Sequence, residues 1–336
     1  MRALRCTAAA VVTGLAVSLV LAGCSAGGPG TVPSAPAGSQ AFTPYRPAAP
    51  AAKAGKGVYV VTGTPSGQYV INEYPLNDTN NSAPLCSINA GTSIFPGDLA
   101  ADKQGNLWVP TIATPSISSV WEVVQYAPGC GAQKTALLES NIGQPGAVAI
   151  DKGTVYVANE INPSFGPGNV AVFPPGYTTP KRVLTSPLIG AFVLAIAING
   201  SGDVFITYDN ASFHTEVLEF AKGKGSGTAV NVSGYSVITG ITFDKHQNMI
   251  LTDYSLAQDE VYAPPYSGAP TATIPLVTGS NPLFSKLNKR DNTMYVTGTT
   301  GLNVYSYPSG TFQYAITNQM GKGGAGGIAI DPAPHL

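Results

Sequence analysis

The stretch "PGAVAIDKGTVYVAN", residues 145–159, decides the fold. An apolar run ends at Asp151, a Lys-Gly turn follows, and a second apolar run ends at Asn159. Small and β-branched residues on either side of a Gly-bearing turn predict a β-hairpin. The same grammar recurs in "GDLAADKQGNLWVPT" (97–111), "LAIAINGSGDVFITYDN" (194–210), "ITGITFDKHQNMILTDY" (238–254) and, more weakly, "PLFSKLNKRDNTMYVTGT" (282–299). The turns open at Asp102, Asp151, Asn199, Asp244 and Asn288, a step of about 44 to 49 residues. A near-constant step of that size marks a repeat architecture.

A third strand follows each hairpin and ends in an aromatic. The copies are "VINEYP", "WEVVQYAPG", "VAVFPPG", "EVLEFAKG", "DEVYAPP" and "LNVYSYPSG", with aromatics Tyr74, Tyr126, Phe173, Phe220, Tyr262 and Tyr307. A less regular fourth strand comes after each: "LCSINA", "KTALL", "KRVLT", "GTAVNV", "TATIPL" and "FQYAIT". Four antiparallel strands in six copies predict an all-β, six-bladed β-propeller. The ends agree. "GVYVVTG" at 57–63 has no strand before it, and "GGIAIDP" at 326–332 is a first strand without a partner. Strand 326–331 is therefore expected to pair with 57–63, which joins both ends of the domain and removes an exposed sheet edge. An open solenoid is the alternative, but the Leu-rich or hexapeptide spacing of such coils is absent.

Bulk composition supports this reading. Of 336 residues, 44% are hydrophobic and 10% charged, with Gly 39 and Pro 28, a balance that suits short strands and many turns. Lys+Arg 17 against Asp+Glu 18 leaves the chain nearly neutral, so no electrostatic case exists for nucleic acid.

The N-terminus carries an address. Arg2 and Arg5 precede an apolar run, Ala8 to Val20, that is too short for a spanning helix and is followed by small residues. The sequence Leu21-Ala22-Gly23-Cys24 resembles the bacterial lipobox. The resemblance implies cleavage before Cys24, acylation of its thiol, and a protein exported and lipid-anchored to the cell membrane or outer membrane. An ordinary secretory signal with a chance cysteine is the other reading. Residues 1–23 are thus the expected signal peptide. Residues 24–56, rich in Pro, Ala, Gly and Ser, are the expected disordered tether. Residues 57–336 are the propeller, expected to be monomeric. Once Cys6 leaves and Cys24 is acylated, Cys86 and Cys130 remain as an even pair in an oxidising compartment. They sit near the outer edges of neighbouring blades, and a disulfide is expected; two separate buried thiols are the alternative.

The motif "GAVAIDKGTVYVAN…GNVAVFPPG" resembles the NHL-type propeller repeat over residues 57–336. The wider clan includes interaction propellers, gluconolactonase-like metal-dependent hydrolases and virginiamycin B lyase-like enzymes. The resemblance implies the fold and leaves the function open. The Arg or Lys usual in the third strand of that pattern is missing from "GNVAVFPPG" and "LNVYSYPSG".

In propellers the ligand face generally carries the loops after each second strand. Here those positions are Gly63, Thr111, Asn159–Glu160, Asp209–Asn210, Asp253–Tyr254 and Gly298. Oxygen ligands from Glu160, Asp209 and Asp253 suit Ca²⁺ or Mg²⁺, with Asn159, Asn210 and Tyr254 beside them at the mouth. The same residues also cap turns at strand ends. Of the three histidines, only His214 shares a loop with Asp209, which makes it the candidate general base. No G-x-S-x-G, P-loop, H-E-x-x-H or C-x-x-C motif is present. The sequence reading is a membrane-anchored module that binds an envelope protein or a small ligand. Its alternative is a metal-dependent, lactonase-like hydrolase or a lyase working at the mouth.

Overall fold

The computed structural model describes residues 56–63, 68–91, 97–112, 121–138, 143–161, 166–190, 192–321 and 324–332. The expected signal peptide (1–23) and, apart from Lys56, the expected tether (24–56) with Cys24 lie outside them. The first blade contains β1 (Gly57–Gly63), β2 (Tyr69–Pro75) and β3 (Cys86–Gly91). The second is β4 (Ala100–Ala101), β5 (Leu107–Ile112), β6 (Trp121–Tyr126) and β7 (Gln133–Leu138). The third is β8 (Pro145–Asp151), β9 (Thr154–Ile161), β10 (Pro167–Phe173) and β11 (Arg182–Leu184). The fourth is β12 (Val193–Ile198), β13 (Val204–Asp209), β14 (Thr215–Phe220) and β15 (Thr228–Val230). The fifth is β16 (Ile238–Phe243), β17 (Met249–Asp253), β18 (Gln258–Tyr262) and β19 (Ala272–Pro275). The sixth is β20 (Ser285–Leu287), β21 (Thr293–Gly298), β22 (Gly301–Ser306) and β23 (Phe312–Ile316), after which β24 (Ala325–Asp331) returns to the first blade.

Each blade is a four-stranded antiparallel sheet, and β24 completes the first with the order β24-β1-β2-β3. The closing register pairs Gly57 with Asp331, Val58 with Ile330 and Tyr59 with Ala329. Closure by the C-terminal strand is therefore as the sequence ends predict. The innermost strands start with a recurring bulge, seen between Pro145 and Ala147, Val193 and Ala195, and Ile238 and Gly240. An extra residue there strengthens local twist and turns the strand into the ring.

The apolar core lies between blades. Phe205, Phe243 and Tyr266 pack edge-to-face at the joint of the fourth and fifth blades, with centroids 5.0, 5.4 and 5.8 Å apart. The turn aspartates build the hairpins. Asp102 accepts the N–H groups of Gln104 and Asn106, each at 2.9 Å, and Asp244 accepts those of His246 and Asn248 at 2.9 and 2.8 Å. Asp244 also accepts the Tyr307 hydroxyl of the next blade at 2.8 Å, so one turn residue joins two blades. Cys86 and Cys130 form the expected disulfide, Cα atoms 6.0 Å apart, between the first and second blades.

Candidate functional site

Aligning the repeats on their turn residues brings six innermost-strand positions into one ring: Ala100, Ala149, Ala197, Thr242, Lys286 and Ala329. All six line a central cavity of about 100 Å³. Four are alanine because six strand edges converge there and leave little room. Thr242 and Lys286 are the exceptions, and the structure gives the reason for Lys286. Its Nζ lies 2.6 Å from Asp98 Oδ2, with Asp98 0% and Lys286 15% exposed. Asp98 Oδ1 accepts the amides of Leu99 at 3.1 Å and Ile328 at 3.4 Å, and its carbonyl accepts that of Val148 at 3.2 Å. One residue thus contacts the first, second, third and sixth blades. Burial pushes the Asp98 carboxyl above its ordinary value, with Lys286 opposing.

Glycines close the same side of the channel by contact of backbones. A Cβ on Gly97 would fall 1.6 Å from the Gly146 carbonyl oxygen, and one on Gly327 would fall 1.7 Å from that of Gly97. A buried ion pair and a seam of close backbone contacts thus tie the first, second, third and sixth blades together beside the cavity. What the molecule presents on this face is the surface around the mouth.

The sequence-predicted residues occupy that surface in different ways. Glu160, at the end of β9, is held by Gln144, whose Nε2 donates to Oε2 at 3.3 Å. Burial raises its carboxyl to about 8. Asp209, at the end of β13, is half-buried and is also raised by burial. Neither takes part in an ion pair found among the described residues. Asp253 is different: fully buried, it accepts N–H bonds from Ser255 and Leu256 at 2.8 Å, from Val237 at 3.4 Å and from Ser236. Its oxygens are committed to backbone amides, the turn-capping role. Glu160, Asp209 and Asp253 do not share one coordination radius. Among the described residues, the only trio of His, Cys, Asp or Glu with ligand atoms within 4.8 Å of one another is Glu73, Cys86 and Cys130.

The remaining mouth residues take part in hydrogen bonds of the fold. Asn159 Nδ2 donates to Asn169 at 2.9 Å. Asn210 Oδ1 accepts the amides of Ser212 and His214 at 2.8 and 3.1 Å, and its Nδ2 donates to Glu216 at 2.6 Å. The Tyr254 amide donates to the Val237 carbonyl at 2.9 Å. His214 is exposed on its loop.

Sequence reasoning missed an apolar patch on this face. Leu188 (42% exposed), Phe213 (60%), Val237 (38%) and Leu256 (49%) all sit on loops that leave second strands or enter innermost strands. Those loops are joined. A Cβ on Gly190 would lie 2.0 Å from the Ala211 amide, the Ile238 amide donates to Thr215 Oγ1 at 3.0 Å, and Ser236 binds Asp253. The loops that bear these four side chains thus touch one another across the fourth and fifth blades, on the face where β9 and β13 end.

No protein-family model matches the chain. Among solved structures, a chain of a nidogen/laminin complex is similar in fold, with a TM-score of 0.64 and 15% identity over 82% of this chain and 98% of that one. The shared feature at this identity is the six-bladed propeller.

Proposed function

We propose that this chain is an NHL-like propeller that acts as a protein-binding module, exported and held on a bacterial membrane by a lipid on Cys24. The observation that carries the reading is four exposed apolar side chains, Leu188, Phe213, Val237 and Leu256, on loops that touch one another on one face. Soluble proteins rarely join exposed apolar side chains into one rim unless something covers them. The similar solved structure is that of a nidogen/laminin complex, an assembly of two proteins. The small-ligand and hydrolase readings receive less support, because Asp253 is spent on turn amides.

Two experiments test the proposal. Cys24→Ala should move the full chain from the membrane fraction to the soluble fraction and abolish labelling by a palmitate analogue; retention in the membrane contradicts the anchor. Chemical cross-linking of intact cells should give an adduct with the parent chain. The adduct should be lost in Phe213→Glu/Leu256→Glu, with the melting temperature unchanged. An adduct that survives this double change, or none from the parent, contradicts the mouth as a docking face.

A further inference from the structure

The Glu73–Cys86–Cys130 cluster lies on the outer edge of the joint between the first two blades, away from the mouth rim, and its reading is independent of the docking proposal. Tyr59, Glu73 and Cys86 form one row across the first blade, since Tyr59 pairs with Glu73 and Glu73 with Cys86. Cys130 enters from the second blade on a turn with φ 53°, and both cysteines are partly exposed. Glu73 is 1% exposed. Its Oε2 lies 3.0 Å from Cys86 Sγ, and its buried Oε1 has no hydrogen bond of ordinary geometry. Gly57 makes the space for it, because a Cβ there would lie 2.6 Å from Oε1. A disulfide offers no proton to a carboxylate, so in the oxidised pair the Tyr59 hydroxyl, and neither sulfur, is what supports this buried acid.

We propose that reduction of the Cys86–Cys130 disulfide converts this cluster into a binding site for a thiophilic divalent cation, with zinc as the type case. The three ligand atoms already lie within 4.8 Å of one another. Tetrahedral zinc, with bonds of about 2.3 Å to sulfur and about 2.0 Å to oxygen, holds such donors roughly 3.5 to 3.8 Å apart. The sulfurs need only separate from bonding distance, and a Cα separation of 6.0 Å permits that without moving the strands. Solvent reaches the cluster through the partly exposed Cys130 and supplies the fourth ligand. The chemistry balances with a dithiol reductant: its two S–H bonds become one disulfide, and the Cys86–Cys130 bond becomes two thiols. Zinc then displaces both thiol protons as two Zn–S bonds form. The Glu73 oxygen completes a site that neutralises the buried acid. The cation is thus gated by redox state, because the oxidised pair has no thiolate to offer.

The test uses the full chain with Cys6→Ser and Cys24→Ser, so that only the two relevant cysteines remain. Zinc retained after desalting is measured by mass spectrometry before and after phosphine reduction, and cobalt is added in parallel to read thiolate charge-transfer absorption. The expected result is one zinc per reduced chain, none per oxidised chain, and a cobalt band that disappears in Cys86→Ser/Cys130→Ser. Glu73→Gln should bind at least tenfold more weakly while keeping the band. Failure of the reduced chain to retain zinc, whether the blades stay together or part, overturns the site. Equal binding by the oxidised chain does so as well, and unchanged affinity in Glu73→Gln removes the third ligand and with it the proposal.

Discussion

Replacing Lys286 by Met should destabilise the propeller out of proportion to the atoms lost. Asp98 has two amides on Oδ1, at 3.1 and 3.4 Å, whereas Oδ2 has only the ammonium of Lys286, at 2.6 Å. Removing one partner of a buried pair leaves an uncompensated charge and typically costs about 3–5 kcal/mol. One kcal/mol moves Tm by about 2–4 °C in domains of 150–250 residues, so in this somewhat larger head the fall should be roughly 6–10 °C. The repeats supply the control. Asp98 aligns with Ala147, and Lys286 with Ala149. Asp98→Ala/Lys286→Ala therefore copies the third blade's own solution and should recover most of the loss. The sign with pH follows from Asp98. Its folded value is raised above the unfolded one, near 4, so the penalty in Lys286→Met is absent below that pH and grows as pH rises. Urea and thermal melts at pH 4.5 and pH 7.5 measure both effects. A loss below about 1 kcal/mol at pH 7.5, a loss that does not shrink in acid, or a double variant as weak as Lys286→Met would each refute the reasoning.

Three further outcomes are expected. Burial lifts Glu73 and Asp259 to about 7 and Glu160 and Glu260 to about 8. These groups are protonated in both states below about pH 4, and their burden on the fold is complete only above about pH 8. Stability should therefore fall by at least about 1 kcal/mol from pH 5 to pH 8.5, and a urea midpoint that rises over that window contradicts the assignment. Gly97→Ala, which places a Cβ 1.6 Å from a carbonyl oxygen, should cost about 3 kcal/mol or more, whereas Gly63→Ala, with nothing within 4 Å, should be nearly neutral. Equal melts for the two would show that the glycine seam gives way freely. Replacing both bonded cysteines by Ser should cost about 4 kcal/mol by loop-closure entropy over a separation of 44 residues, checked by denaturant melts; a change under 1 kcal/mol would mean the staple contributes little.

The fold was legible because each blade repeats a period-2 apolar pattern and a turn whose chemistry is local. Asp102 and Asp244 bind amides two and four residues on, so the sequence alone places them in hairpins. The closing strand was legible from an unpaired copy at each end. The site was less so. The second-strand ends place Glu160, Asp209 and Asp253 on one face, but whether a carboxylate meets solvent or backbone depends on the loop that folds over it. For Asp253 that loop is Ser236–Val237, contributed from before its own hairpin. The Asp98–Lys286 pair had a signal in the sequence, since each stands where the aligned blade has alanine. Their meeting across the ring is a product of closure, and single repeats do not carry it. The apolar rim was hidden for a similar reason. Leu188, Phe213, Val237 and Leu256 lie in loops without periodicity, and only the folded ring places those loops on one face.

The most direct measurement of the docking account places a photoreactive amino acid at Phe213 in the full chain and compares it with the same substitution at Tyr177. Tyr177 is 45% exposed on a loop between a third and a fourth strand, at the opposite end of the blades. Irradiation of intact cells should yield a discrete cross-linked protein from position 213 and none from position 177. Equal adducts from both positions, or an adduct from 177 alone, would contradict the mouth rim as the face on which this propeller works.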